Sequence, residues 1–136
     1  MKQGEKIVVS GKRKRSVARA AISAGTGKIR INKMPYELLP YIRRLMIEEP
    51  LRIAKEKLGK VDYDIDVEIN SGGQEAGIEA ARLAIARALV QATKSKELRK
   101  AFIEYDRNMI VADTRVKETY KPGDSKARAK RQKSYR

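Results

Sequence analysis

The chain has 136 residues, and its 32 Lys plus Arg against 17 Asp plus Glu give a formal net charge of +15. Such an excess is the footprint of a polyanionic partner, and the length allows one modest domain with tails. Cys and His are absent, which excludes disulfides, thiolate metal sites and the commonest general base.

Membranes are the other class of polyanion, and the chain gives them little. No apolar run approaches the roughly 20 residues of a spanning helix. Ile7-Val8-Val9 is too short for a signal-peptide core, and no Gly follows Met1 for myristoylation. A cytoplasmic protein without a membrane partner is expected. With one Phe and no Trp, the core must rest on Ile, Leu, Val and Ala.

In chain order, Lys6 to Ser10 reads as a short strand around Ile7-Val8-Val9. The run Gly11-Lys12-Arg13-Lys14-Arg15 follows it. Ser16 to Ser23 is apolar and mostly small, and Lys28 to Asn32 alternates, with Ile29 and Ile31 on one face. Ala24 to Gly27 between them is a turn, which predicts a β-hairpin of these two runs. Leu38, Ile42, Leu45 and Met46 share a face of a short helix. Pro50 suits the first turn of a second helix, with Leu51, Ala54 and Leu58 on its face and Gly59 as its stop.

Val61 to Ile69 is the clearest strand, its apolar residues alternating with Asp62, Asp64, Asp66 and Glu68. After Asn70-Ser71-Gly72-Gly73, a long Ala-rich helix is predicted over Gln74 to Thr93, with Ile78, Ala81, Ile85, Leu89 and Ala92 as its stripe. Ser95 is a candidate cap for a helix over Lys96 to Tyr105 carrying Leu98, Phe102 and Ile103 inward. Met109-Ile110-Val111 reads as a last short strand. The fold class expected is α/β in the two-layer α+β sense: a small mixed β-sheet packed by helices. Residues 1–114 are expected to form a globular RNA-binding domain and 115–136 an extended basic C-terminal tail.

From Lys121 the chain reads KPGDSKARAKRQKSYR, with seven basic residues against Asp124 and only the Tyr135 ring to bury. A segment of this composition cannot offset its ordering entropy alone and takes its shape from an anionic partner. The run Lys12 to Arg15 is a candidate phosphate-binding patch held out by a strand end.

Three other features bear on chemistry. Asp62, Asp64, Asp66 and Glu68 lie on one side of a strand, as a Mg²⁺-dependent nuclease needs, although a half-buried strand with a solvated acidic face shows the same alternation. That face is expected to point away from nucleic acid. Gly72-Gly73 ahead of a helix fits a tight turn as well as an anion cradle. GxGxxG is absent, and GxxxxGK[ST] around Gly27-Lys28 lacks Gly at Ile22 and Ser or Thr at Ile29, so no cofactor or small-molecule substrate is expected. Arg82 and Arg87 on the long helix are open to either RNA contact or solvent.

Four stretches together resemble the universal S-nine family of small-subunit ribosomal proteins in its archaeal-type form. They are Gly11 to Arg19 (GKRKRSVAR), Gly25 to Asn32 (GTGKIRIN), Gly72-Gly73 with Ile85 to Leu89 (IARAL), and Gln132 to Arg136 (QKSYR). The resemblance implies a domain like the second domain of ribosomal protein S-five and a place in the head of the small subunit. Its partners would be small-subunit ribosomal RNA and neighbouring head proteins. On this basis Lys12, Arg13, Lys14, Arg15, Arg19, Lys126, Arg128, Lys130 and Arg131 are expected to bind RNA. The resemblance also implies that Lys133, Ser134, Tyr135 and Arg136 touch the anticodon stem-loop of peptidyl-site tRNA. The chain departs from the family where Ser71 stands for the first of three glycines and Gly77 for a Gln early in the long helix. Tyr135 replaces the Lys that bacterial-type members carry. The expected function is structural and non-enzymatic. A free-standing nucleic-acid-binding protein and a nuclease built on Asp62, Asp64 and Asp66 are the alternatives.

Overall fold

The computed structural model describes residues 6–120 and 127. Five strands, β1 (Ile7–Arg13), β2 (Ser16–Ala24), β3 (Ile29–Ile31), β4 (Met34–Pro35) and β5 (Tyr63–Asn70), form one mixed sheet in the order β1-β2-β5-β3-β4. Three helices, α1 (Tyr41–Leu58), α2 (Gln74–Thr93) and α3 (Lys96–Tyr105), complete the fold with two short 3₁₀ turns at Tyr36–Leu38 and Arg107–Met109. The expected α+β class holds.

The core follows from strand alternation. Ala18, Ala20 and Ile22 of β2, Ile65 and Val67 of β5, and Ile29 and Ile31 of β3 point to the helices and are buried. There they meet Ile78, Ala81, Ile85 and Leu89 of α2, Ile47 of α1, and Leu98 and Phe102 of α3. The small residues permit close approach. A Cβ on Gly11 of β1 would stand 2.2 Å from the Ala80 carbonyl oxygen, so α2 lies almost on the backbone of β1.

The helices α2 and α3 run over the residues expected, and Ser95 caps α3 by accepting a hydrogen bond from the Leu98 amide at 3.2 Å. Three expectations change. The hairpin of β2 with β3 does not form, because β5 inserts between them, antiparallel to β2 and parallel to β3. Its pairing with β3 runs through the long crossover that parallel strands require, here containing α1. The hairpin that does form joins β1 and β2 through Lys14-Arg15. Residues 41–58 make one helix rather than two. Pro50 sits buried inside it, giving up one backbone bond without ending the helix. Met109 closes a 3₁₀ turn and buries its side chain instead of starting a strand.

Candidate nucleic-acid interface

β1 continues through the basic run as far as Arg13, which pairs with Ser16 across the turn. The period of two therefore sorts the four cations. Lys12 emerges on the open face of the sheet, Arg13 turns under toward α2, and Lys14 and Arg15 form the exposed two-residue tip, with Lys14 at φ 52°. Arg13 Nε donates to Glu79 Oε2 at 2.5 Å, and its Nη1 lies 2.9 Å from Asp113 Oδ2 without an aligned hydrogen bond. The Arg13 side chain is 22% exposed, so it serves as an internal tie between β1, α2 and the chain beyond the last 3₁₀ turn.

The tip is held against the turn between β5 and α2. Ser71 Oγ donates to the Arg15 carbonyl at 2.9 Å, and the hydroxyl of fully buried Ser16 reaches the Gly73 carbonyl at 3.5 Å. Gly72 is at φ 78°, where any Cβ would stand 2.0 Å from Ser16 Oγ, so a side chain there would break this contact. Gly73 precedes α2 and, as a glycine, gives it no side-chain cap, so the first turn of the helix opens beside Lys14 and Arg15. A groove of about 880 Å³ opens at this point, with Lys14 and Arg15 on one wall and Lys117 and Tyr120 on another. Lys117 Nζ sits 4.9 Å from the Tyr120 ring centroid. Lysine and arginine cations thus converge at the N-terminal end of a helix, an arrangement suited to phosphate, with Glu118 also lining the groove. Within the groove Arg43 is engaged by Glu75, 2.7 Å from its Nη2.

The acidic residues of β5 are committed to the fold. Asp64 Oδ1 accepts from the Thr26 amide at 2.8 Å and the Lys28 amide at 2.9 Å, which shapes the turn before β3. The Lys28 bond foremost holds the Asp64 carboxyl below its ordinary pKa, against some desolvation. Asp66 receives two bonds from Arg30, 2.6 Å from Nε and 2.8 Å from Nη2. Among the described residues no group of carboxylates is placed to hold a metal ion. The acids do not face away from all the basic candidates. Arg19 lies directly across from Glu68 in the register of β2 with β5, and Lys12 opens on the same face. Strand parity dictates this, since Arg19 and Glu68 both alternate with buried neighbours.

The sequence profile of the family described as ribosomal protein S9/S16 matches residues 11–136. The chain is 48% identical over 128 residues to the small ribosomal subunit protein uS9 of Halobacterium salinarum, covering 93% of this chain and 96% of that one. To the protein of the same name from Methanococcus vannielii it is 44% identical over 129 residues, covering 93% and 95%. The chain belongs to the ribosomal protein S9/S16 family. It is therefore a ribosomal structural protein, not an enzyme.

Within this family member, two arginines that sequence left open are structural. Arg82 spans Glu49, 2.6 Å from its Nε, and Asp106, 2.9 Å from Nη1, and ties α1 to the end of α3. Arg87 donates to the carbonyls of Ile110 at 2.8 Å and Ser10 at 3.1 Å. Periodicity alone missed Glu79 and Asp113, the partners of Arg13. Asp113 is held well below the usual carboxylate range, chiefly by the side-chain hydrogen bonds of Arg115. Its signal was a lone acid in a stretch turning basic. Of the expected RNA-binding residues, the structure brings Lys14 and Arg15 together at the tip, with Lys12 and Arg19 on the adjoining open face. Lys126, Arg128, Lys130 and Arg131, and the tail-end residues Lys133, Ser134, Tyr135 and Arg136, lie outside the described residues.

Proposed function

We propose that this ribosomal protein is a structural constituent of the small subunit, where it neutralises ribosomal RNA phosphates with a rigid hairpin tip and a basic tail. The observation that carries the reading is the tip itself. Lys14 and Arg15 are fixed beside the start of α2 by the Ser71–Arg15 bond and the Ser16–Gly73 contact. Cations held in this way contact phosphate without losing much freedom on binding. Lys12 and Arg19 extend the surface onto the sheet face, while Arg13 supports it from beneath. Residues 1–114 act as the folded anchor and 115–136 as the tail.

Within the tail, Lys126, Arg128, Lys130 and Arg131 bind ribosomal RNA in the subunit head. Lys133, Ser134, Tyr135 and Arg136 reach the anticodon stem-loop of peptidyl-site tRNA, in keeping with the resemblance drawn from the sequence. The protein acts in the cytoplasm as part of the ribosome. Ribonuclease footprinting of small subunits carrying wild-type or Lys14→Ala/Arg15→Ala chains tests the assignment. Protection of one RNA segment by the wild type, lost in the variant, supports it. Identical footprints would remove the tip from the interface.

A further inference from the structure

Residues 34–42, from β4 into the first turn of α1, hold a second surface of opposite character. Met34 is 54% exposed, Leu38 74%, Tyr41 73% and Ile42 71%, and Pro35 and Pro40 are exposed with them. In a chain with 32 Lys plus Arg in 136 residues, this stretch contains neither, and Glu37 is its only charge. Helical periodicity places Leu38 and Ile42 on a buried face, and the structure turns both outward. The inward positions are filled by Tyr36 and Leu39, which pack on the core.

Two features give this surface the form of a docking site. Pro35 and Pro40 fix the backbone on either side of the 3₁₀ turn, with φ of −55° and −51°, so the apolar side chains are presented from a stiff frame. Met34 and Leu39 also line a groove of about 340 Å³ with Ile69 and Ile78, which adds concavity beside the exposed residues.

We infer that residues 34–42 dock another protein of the small subunit, one presenting an apolar surface with a cation opposite Glu37. The inference rests on the ribosomal reading above. Charge selects the occupant. RNA is held through Lys and Arg; residues 34–42 contain neither, and Arg43, which lines the adjoining groove, is paired with Glu75. A second copy would set a net charge of +15 against another of +15. A different protein is the class that buries exposed Leu, Tyr, Ile and Met side chains and pairs with a lone carboxylate.

The test places a photo-crosslinking amino acid at Leu38, and separately at Ile42, in chains incorporated into small subunits in cells. The expected result is an adduct with the same ribosomal protein from both positions. The double variant Leu38→Ser/Ile42→Ser should then lose about fivefold or more in competition with wild type for incorporation. Its melting temperature and RNA affinity should be unchanged. Adducts only with ribosomal RNA, adducts only with a second copy, or equal oxidation of Met34 and Tyr41 by hydroxyl radicals in the free chain and the intact subunit would each overturn the inference. Absence of even the wild-type chain from salt-washed subunits would instead overturn the ribosomal reading, and the docking inference with it.

Discussion

Arg13 Nε lies 2.5 Å from Glu79 Oε2, and that pair takes one of four consecutive cations out of the basic surface. The cause is the strand. β1 runs on to Arg13, so adjacent residues face opposite sides of the sheet. Lys12 and Arg13 differ in role although they are neighbours in sequence and alike in charge.

This separation sets the first prediction. Arg13→Ala strands Glu79 and removes one of the two cations beside the 11%-exposed Asp113, which keeps its Arg115 bonds, and should cost about 1–3 kcal/mol of stability, as for a lost charged hydrogen bond in a partly buried site. Arg15→Ala should alter stability by less than about 0.5 kcal/mol. It should instead reduce the slope of log K against log salt by about 0.7 to 0.9 for the lost phosphate contact. Urea melts and RNA titrations at several salt concentrations measure the two effects. The reverse pattern would place the Arg13 guanidinium on RNA.

Asp64 carries the second prediction. Its carboxylate is held below the ordinary pKa by the Lys28 and Thr26 amides. Its stabilising effect is therefore complete above the unfolded value of about 3.9 and is lost as pH falls through the lower folded value. Asp113 acts in the same direction. Asp64→Asn should flatten the acid limb of thermal stability below about pH 4. An acid limb identical to that of wild type would show that the Asp64 charge does not support the turn.

Gly11 and Gly59 make a third, paired prediction. A Cβ at Gly11 meets the Ala80 carbonyl oxygen at 2.2 Å, whereas at Gly59, with φ 77°, nothing lies within 4 Å. Gly11→Ala must push α2 away from β1 and should cost about 2 kcal/mol or more. Gly59→Ala meets no neighbouring atom, and its cost is backbone strain alone at φ 77° and ψ −48°, about 1–3 kcal/mol. A loss below about 1 kcal/mol for Gly11→Ala in denaturant melts would mean that α2 does not press on β1 as the geometry requires.

These contrasts show where sequence was sufficient. α2 and α3 were legible because a 3.6-residue stripe and a Ser cap are local signals, and β5 because its alternation spans the strand. The β2–β3 hairpin was misread because the insertion of β5 is a long-range event, to which a Gly-rich turn gives no clue. Leu38 and Ile42 follow helical spacing but precede or open the helix. Their exposure depends on Pro40 and on Tyr36 and Leu39 taking the inward positions. In the candidate site, the charge run pointed to Lys14 and Arg15, but the role of Arg13 depended on Glu79, 66 residues away.

The last prediction concerns the chain end, Lys133 to Arg136. These residues offer only the Tyr135 ring as apolar surface, so deleting them should leave the melting temperature and the RNA affinity of the domain nearly unchanged. The proposed role places the loss at peptidyl-site tRNA. There Lys133 and Arg136 neutralise phosphates, Ser134 donates a hydrogen bond and Tyr135 stacks on a base or packs on ribose. A stacked base is worth about 1–3 kcal/mol, and packing on the backbone sets the lower end. Tyr135→Phe should then be mild, Tyr135→Ala several-fold worse, and the defect of Arg136→Ala should be largest at low salt and shrink as salt rises in tRNA filter-binding assays on purified subunits. Wild-type tRNA affinity in subunits carrying the full deletion would separate the tail from the peptidyl site, while leaving the RNA contacts of the Lys14-Arg15 tip to stand on their own salt dependence.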